Sequence, residues 1–136
     1  IYIPGETTMI PTEVEYLEPA KPSMLHYQIP IKGNPHADKM LSQDSALATP
    51  NVCTEPLLKS ELDICVKMQI KSMLAIRTSY QGEPNGSIVL HQCNYFRQWT
   101  KDEIELLESV AAQVGIALAQ ARLLQQETQQ KQELTI

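Results

Sequence analysis

Trp99-Thr100-Lys101-Asp102-Glu103-Ile104-Glu105-Leu106-Leu107 opens the stretch that decides the fold. Thr100 and Glu103 stand three apart in the pattern of a capping box: the Thr100 hydroxyl accepts from the Glu103 amide, and the Glu103 carboxylate reaches back to the Thr100 amide. Trp99 and Ile104 take the two positions of a hydrophobic staple around that cap. Beyond it Ile104, Leu107, Ala111, Val114, Leu118 and Ala121 recur at spacings of three and four, and no proline follows before the chain ends at Ile136. This pattern predicts one long amphipathic helix from Lys101 to about Leu134. The apolar stripe stops near Leu124, where Gln125-Gln126-Glu127-Thr128-Gln129-Gln130-Lys131-Gln132-Glu133 brings polar helix formers. Residues 1–124 are therefore expected to form the folded domain, and 125–136 a polar helical linker toward a downstream module. Such a helix is marginal alone in water and is better held by a parallel partner.

Upstream of the helix, Ser72–Tyr80 and Ser87–Tyr95 read as strands joined by Gln81-Gly82-Glu83-Pro84-Asn85-Gly86, a connection of hairpin type. Leu58, Leu62, Cys65 and Met68 lie three or four apart and describe one face of a short helix over Leu57–Met68. Ala46–Cys53 reads as a buried strand, and His36–Gln43 as a short helix. Pro19, Pro22, Pro30 and Pro35 break the stretch from 18 to 35 but leave room for an extended piece at Met24–Ile31. Ile1–Ile3 and Met9–Leu17, separated by Pro4-Gly5, are expected to pair as a hairpin.

A chain of 136 residues with 43% hydrophobic and 20% charged residues is long enough to bury a core as one ordinary domain. Its net charge of -5 and lack of a Lys/Arg cluster argue against nucleic acid, whose binding rests on several basic contacts. No apolar run approaches the ~20 residues of a membrane span, and no basic start precedes a short apolar segment as in a signal peptide. A cytoplasmic protein is expected. The chain starts at Ile1 without an initiator Met, which suggests an excerpt. Three cysteines without CxxC spacing, Cys53, Cys65 and Cys93, read as reduced thiols rather than a disulfide framework. Asn85-Gly86-Ser87 reads as turn chemistry.

The run Gly86-Ser87-Ile88-Val89-Leu90-His91-Gln92-Cys93, then Arg97-Gln98-Trp99-Thr100 and the helix from Glu103 to Leu118, closely resembles the C-terminal half of GAF domains. The likeness is to GAF domains of cyanobacterial sensor histidine kinases and phytochrome-like photoreceptors. It is specific over about 71–130; over 24–58 it rests on Ile29-Pro30-Ile31, Asn34-Pro35-His36 and Asp44–Val52. The resemblance implies an α+β fold: an antiparallel sheet of five or six strands with helices on one face, a long C-terminal helix, and on the other face a ligand pocket roofed by residues 53–70. It also implies a first helix upstream of Ile1.

What chemistry the resemblance carries depends on matched positions. Bilin-binding relatives attach their chromophore through a Cys followed by His; the corresponding residues here are Ser60 and Glu61, which cannot form the thioether. A second His of those relatives is matched by Gln92. Cys65 comes five positions after the attachment site, and its helical spacing favours a buried apolar role. The residue set of cyclic-nucleotide-binding GAF domains is not recognisable. GAF-fold methionine sulfoxide reductases use several cysteines, so Cys53, Cys65 and Cys93 could supply a nucleophile and resolving thiols. Val89, Leu90 and His91, however, replace the acidic residues of that family. His91 and Cys93 alternate onto one strand face, two ligands short of a structural zinc, and His91 reads better as a satisfied histidine between sheet and helix. His26 and His36 are expected to face solvent. Strand alternation sets Ile88, Leu90 and Gln92 on the opposite face, which by family likeness lines the pocket together with Ser60. That pocket either holds a small molecule or is filled by its own side chains.

These readings converge on a regulatory, non-catalytic sensor domain of a multi-domain signalling protein. It pairs with a second copy through the C-terminal helix, where Leu107, Val110, Ala111, Val114, Leu118 and Ala121 divide between sheet packing and dimer seam. A downstream effector, a histidine kinase, receives the signal. No catalytic residue, covalently bound cofactor or metal is expected. The alternatives are a bilin photoreceptor domain lacking the usual Cys and a thiol enzyme.

Overall fold

The computed structural model describes residues 7–25 and 27–134. Its centre is the antiparallel ladder of β4 (Ser72–Tyr80) and β5 (Glu83–Gln92), with β3 (Leu47–Thr49) on the other side of β4. β1 (Met9–Pro11) and β2 (Gln28–Pro30) form a separate two-stranded antiparallel ladder. The described residues thus contain five strands, all antiparallel, divided between two sheets. Met9–Pro11 pairs with β2, and just beyond it the Thr12 amide donates to the Tyr27 carbonyl at 2.9 Å. The expected partner of that strand, residues 1–3, lies outside the described residues.

Alternation along β4 sorts its side chains onto two faces. Met73 and Ala75 enter one cluster with Met40, Leu41, Val52, Leu58, Cys65 and Ile70, each at most 7% exposed. Leu74 and Ile76 enter a second cluster with Leu107 and Ala111 of α3 (Lys101–Leu134). The first face is covered by α1 (Pro35–Leu41), a 3-10 turn over Pro56–Glu61, and α2 (Leu62–Lys67); the second is covered by α3. Helical cover on both faces explains why β4 is buried along nearly its whole length.

Local chemistry accounts for where the elements start and stop. Asn34 caps α1, its side chain accepting from the Ala37 amide with Pro35 in the first turn, so the helix begins one residue before its expected start. Leu57–Met68, read as a single helix, divides at Glu61 into the 3-10 turn and α2. Leu58 and Cys65 are buried and Leu62 and Met68 half-buried, which keeps the inward face the spacing describes. The β4–β5 connection is shorter than expected. Gln81 (φ 51) and Gly82 (φ 81) both adopt left-handed backbone, which closes a two-residue turn matched to strand twist. β5 consequently starts at Glu83 and ends at Gln92 rather than running from Ser87 to Tyr95.

Candidate functional site

α3 packs along the sheet with its front end pinned. At its front the capping box forms as read from the sequence: the Thr100 amide donates to Glu103 Oε1 at 2.9 Å, and the Glu103 amide to the Thr100 hydroxyl at 3.2 Å. The Thr100 amide, first among several donors, holds the Glu103 carboxyl below its ordinary value. Arg97 pairs with Glu103, stacks its guanidinium 5.0 Å from the Trp99 ring, and donates to Gln92 Oε1 at 3.0 Å. Trp99 and Ile104, the two staple positions, both pack on the Leu74–Ile76 cluster. Ser72, fully buried, accepts from the Arg97 amide and donates to the Pro50 carbonyl, each at 2.7 Å, so the lead-in to the helix is pinned to the sheet.

The middle of α3 is seated on β4. Leu107, Ala111 and Gly115, four residues apart, are its buried positions. Gly115 is the tightest of them: an added Cβ would stand 2.0 Å from the Ser79 carbonyl oxygen. The Asn85 amide donates to the Gly115 carbonyl at 2.9 Å. Leu118 reaches Gly86 of β5 but stays 43% exposed. The helix passes Gly115 unbroken, and from Gln120 to Leu134 every residue is exposed.

The expected helix face therefore separates into two stripes. Leu107 belongs to the sheet-packing stripe, Val114 is half-buried beside it, and Val110 and Ala121 are exposed. Leu106, Val110, Ala117, Ala121 and Leu124, all exposed, follow one another at three-, four- and seven-residue steps on a different side of the helix. By length and composition alone α3 is also apolar enough to cross a membrane, with mean hydropathy 1.3 over an 18-residue window. Its buried stripe is nevertheless spent on the sheet.

The pocket expectation is corrected. Ile88 packs with Leu74, Ile76 and Leu107 under α3, and Leu90 and Gln92 share its strand face. Ile88, Leu90 and Gln92 thus sit on the helix side. Ser60 is exposed on the 3-10 turn, on the other side of the sheet. Alternation identified which residues share a face, but not which face the helix would take. On the opposite face Met40, Leu41, Val52, Leu58, Cys65 and Met73 form a packed cluster. Surface clefts flank the fold among the described residues. One of about 380 Å³ is lined by Val52, Cys53, Glu55, Lys59 and Leu62 among others. Another, of about 360 Å³, lies beside α3 between Asp44, Arg77, Tyr80, Glu108 and Ile116.

The histidines also differ from expectation. His36, expected at the surface, is 6% exposed, and its Nε2 is buried without a hydrogen-bond partner; α1 turns this residue inward with Ala37, Met40 and Leu41. His91 is exposed on β5, on the face away from α3, rather than satisfied between sheet and helix. His26 lies outside the described residues. Cys65 is buried as its spacing implies, and burial, with Glu61 and Cys53 adding, pushes its thiol up to about 11. Among the described residues no three His, Cys, Asp or Glu side chains gather at metal-binding distance.

The circadian input-output histidine kinase CikA of Thermosynechococcus vestitus is 38% identical over 63 residues, 46% of this chain and 9% of that protein. The chain covers less than a tenth of the curated relatives it resembles, 6% and 9%. Among solved structures, the PixJ GAF domain of Thermosynechococcus elongatus in its blue-light absorbing form superposes with a TM-score of 0.71 at 15% identity, over 90% of this chain and 79% of that one. A phycocyanobilin-bound GAF domain from a cyanobacterial phytochrome gives a TM-score of 0.65 at 23% identity, over 80% and 66% of the two chains. At these identities the structural likeness is one of fold. The family profile described as GAF domain covers residues 4–118, and the chain belongs to the GAF domain family.

Proposed function

We propose that this chain is a regulatory, non-catalytic sensor domain of a multi-domain cytoplasmic signalling protein, with α3 as its output. The observation that carries the proposal is the division of one uninterrupted helix into a front part seated on β4 and a rear part, Gln120–Leu134, exposed throughout. A rigid helix fixed at one end carries any rotation or displacement at the sheet to its far end. A histidine kinase is the effector this reading favours, given the stretch shared with CikA. The exposed stripe Leu106, Val110, Ala117, Ala121 and Leu124 is the proposed homodimer seam, because an exposed apolar row on a long helix is stabilised by a second helix.

Sedimentation of the chain carrying Val110→Glu with Ala121→Glu tests the seam. A dimeric wild type that becomes monomeric while keeping its circular dichroism supports it; an unchanged sedimentation coefficient refutes it.

A second reading is a bilin held without a thioether, favoured by the fold shared with a phycocyanobilin-bound domain. Ser60 and Glu61 at the matched attachment positions preclude the covalent bond. Visible absorbance after co-expression with bilin synthesis would support this reading, and a colourless protein would count against it.

A further inference from the structure

We infer that Asn85 is a latch that fixes the setting of α3 on the sheet at the point where the helix leaves it. The inference deepens the reading of α3 as the output, and its regulatory meaning rests on that reading. Thr78 pairs with Gly86 and Ser79 with Pro84, so Asn85 is the extra residue of a bulge. A bulge takes a residue out of the ladder and re-aims its side chain.

The re-aimed amide has both ends engaged. Its Nδ2 donates to the Gly115 carbonyl at 2.9 Å, and its Oδ1 accepts from the Thr78 hydroxyl at 2.7 Å. The orientation is dictated by chemistry: a carbonyl only accepts, so the NH2 must face Gly115, which leaves Oδ1 for the hydroxyl. Thr78 is 1% exposed, so this positioning bond is sheltered from water. The Gly115 carbonyl has a second lone pair and can take the Asn85 amide without leaving the helix ladder.

Two glycines make the approach possible. A Cβ at Gly86 would stand 2.8 Å from the Thr78 hydroxyl oxygen and 3.4 Å from Leu118 Cδ1, and one at Gly115 would stand 2.0 Å from the Ser79 carbonyl oxygen. Upstream, Leu107 and Ala111 hold the helix by apolar packing, which is non-directional and tolerates small slides and rotations. Asn85 adds the directional contact, to the backbone of the last buried residue of α3. Its place at the junction of seated and exposed helix is where a change of setting passes to the whole tail.

Amide hydrogen exchange on the 136-residue chain, resolved by residue, tests the latch. In Asn85→Ala, amides of residues 113–119 are expected to exchange about tenfold faster, the effect of losing one sheltered hydrogen bond, while those of β4 and of Ile104–Ala111 stay within about twofold of wild type. Thr78→Val keeps the shape of the site and removes the positioning hydroxyl, so it is expected to accelerate the same amides; it also serves if Asn85→Ala does not fold. The double variant is expected to be no faster than Asn85→Ala. Unchanged exchange over 113–119, acceleration spread evenly over the domain, or additive effects in the double variant would overturn the latch. Unaltered effector output in a parent protein whose 113–119 amides have loosened would instead overturn the relay and leave the latch standing.

Discussion

Gly115 of α3 lies backbone-to-backbone against Ser79 of β4, so close that a methyl group on Gly115 would stand 2.0 Å from the Ser79 carbonyl oxygen. In an exposed helix Gly→Ala stabilises by about 1 kcal/mol. Here the sign is expected to reverse, because the obstacle is strand backbone and not a side chain that can swing away. Gly115→Ala should lower stability by at least about 2 kcal/mol, visible as a fall in the urea midpoint. A variant as stable as wild type would show that α3 is not seated at this depth.

Burial of His36 predicts a pH dependence with a definite sign. Burial pushes its pKa below the ordinary 6.5, with the Glu55 carboxylate opposing. The folded state therefore prefers the neutral ring, and the unfolded chain binds more protons below pH 6.5. The associated stability is full above 6.5 and is lost as pH falls toward the lowered folded value. Between pH 7.5 and 5.5 this one group can remove at most about 1.4 kcal/mol. His36→Leu should shrink the loss in urea midpoint over that interval and, by removing an unpartnered buried nitrogen, should not weaken the protein at pH 7.5. An undiminished pH loss in the variant would contradict this account.

The three cysteines should separate by reactivity. Cys53 is exposed, Cys93 half-buried and Cys65 buried with its thiol pushed up to about 11. Iodoacetamide labelling at pH 8, read by mass spectrometry, should modify Cys53 first and leave Cys65 intact until denaturant is added. Rapid labelling of Cys65 in the native protein would refute the ordering and revive the thiol-enzyme reading.

Removing residues 125–136 should leave the domain about as stable as before, because residues 125–134 are exposed throughout and an exposed helical tail adds little to a packed core. A change in thermal midpoint of under about 3 °C is expected. A larger drop would mean that the tail is part of the folding unit rather than a linker.

Readings that rest on local chemistry were legible before any coordinates. The capping box at Thr100 and Glu103, the unbroken course of α3 and the inward face of Leu58 and Cys65 follow from contacts within about a turn of chain. The latch was only partly legible. Asn85-Gly86 signals a turn, yet the turn fell at Gln81-Gly82 and left Asn85 in a bulge, since which residue a ladder expels depends on pairing along the whole hairpin.

By itself the sequence determined the existence, start and N-terminal cap of the long helix, the two central strands and the alternation of their side chains, because these depend on spacing and on neighbours a few residues apart. Only the tertiary structure decided which sheet face α3 would cover, that Ile88 would lie beneath it, that His36 would turn inward, and that Gly115 would meet Ser79 and Asn85. Those outcomes pair residues from different elements, Asn85 and Gly115 standing 30 positions apart. A strand's alternation is symmetric between its two faces, and what breaks that symmetry is the packing of distant elements, which no local pattern encodes.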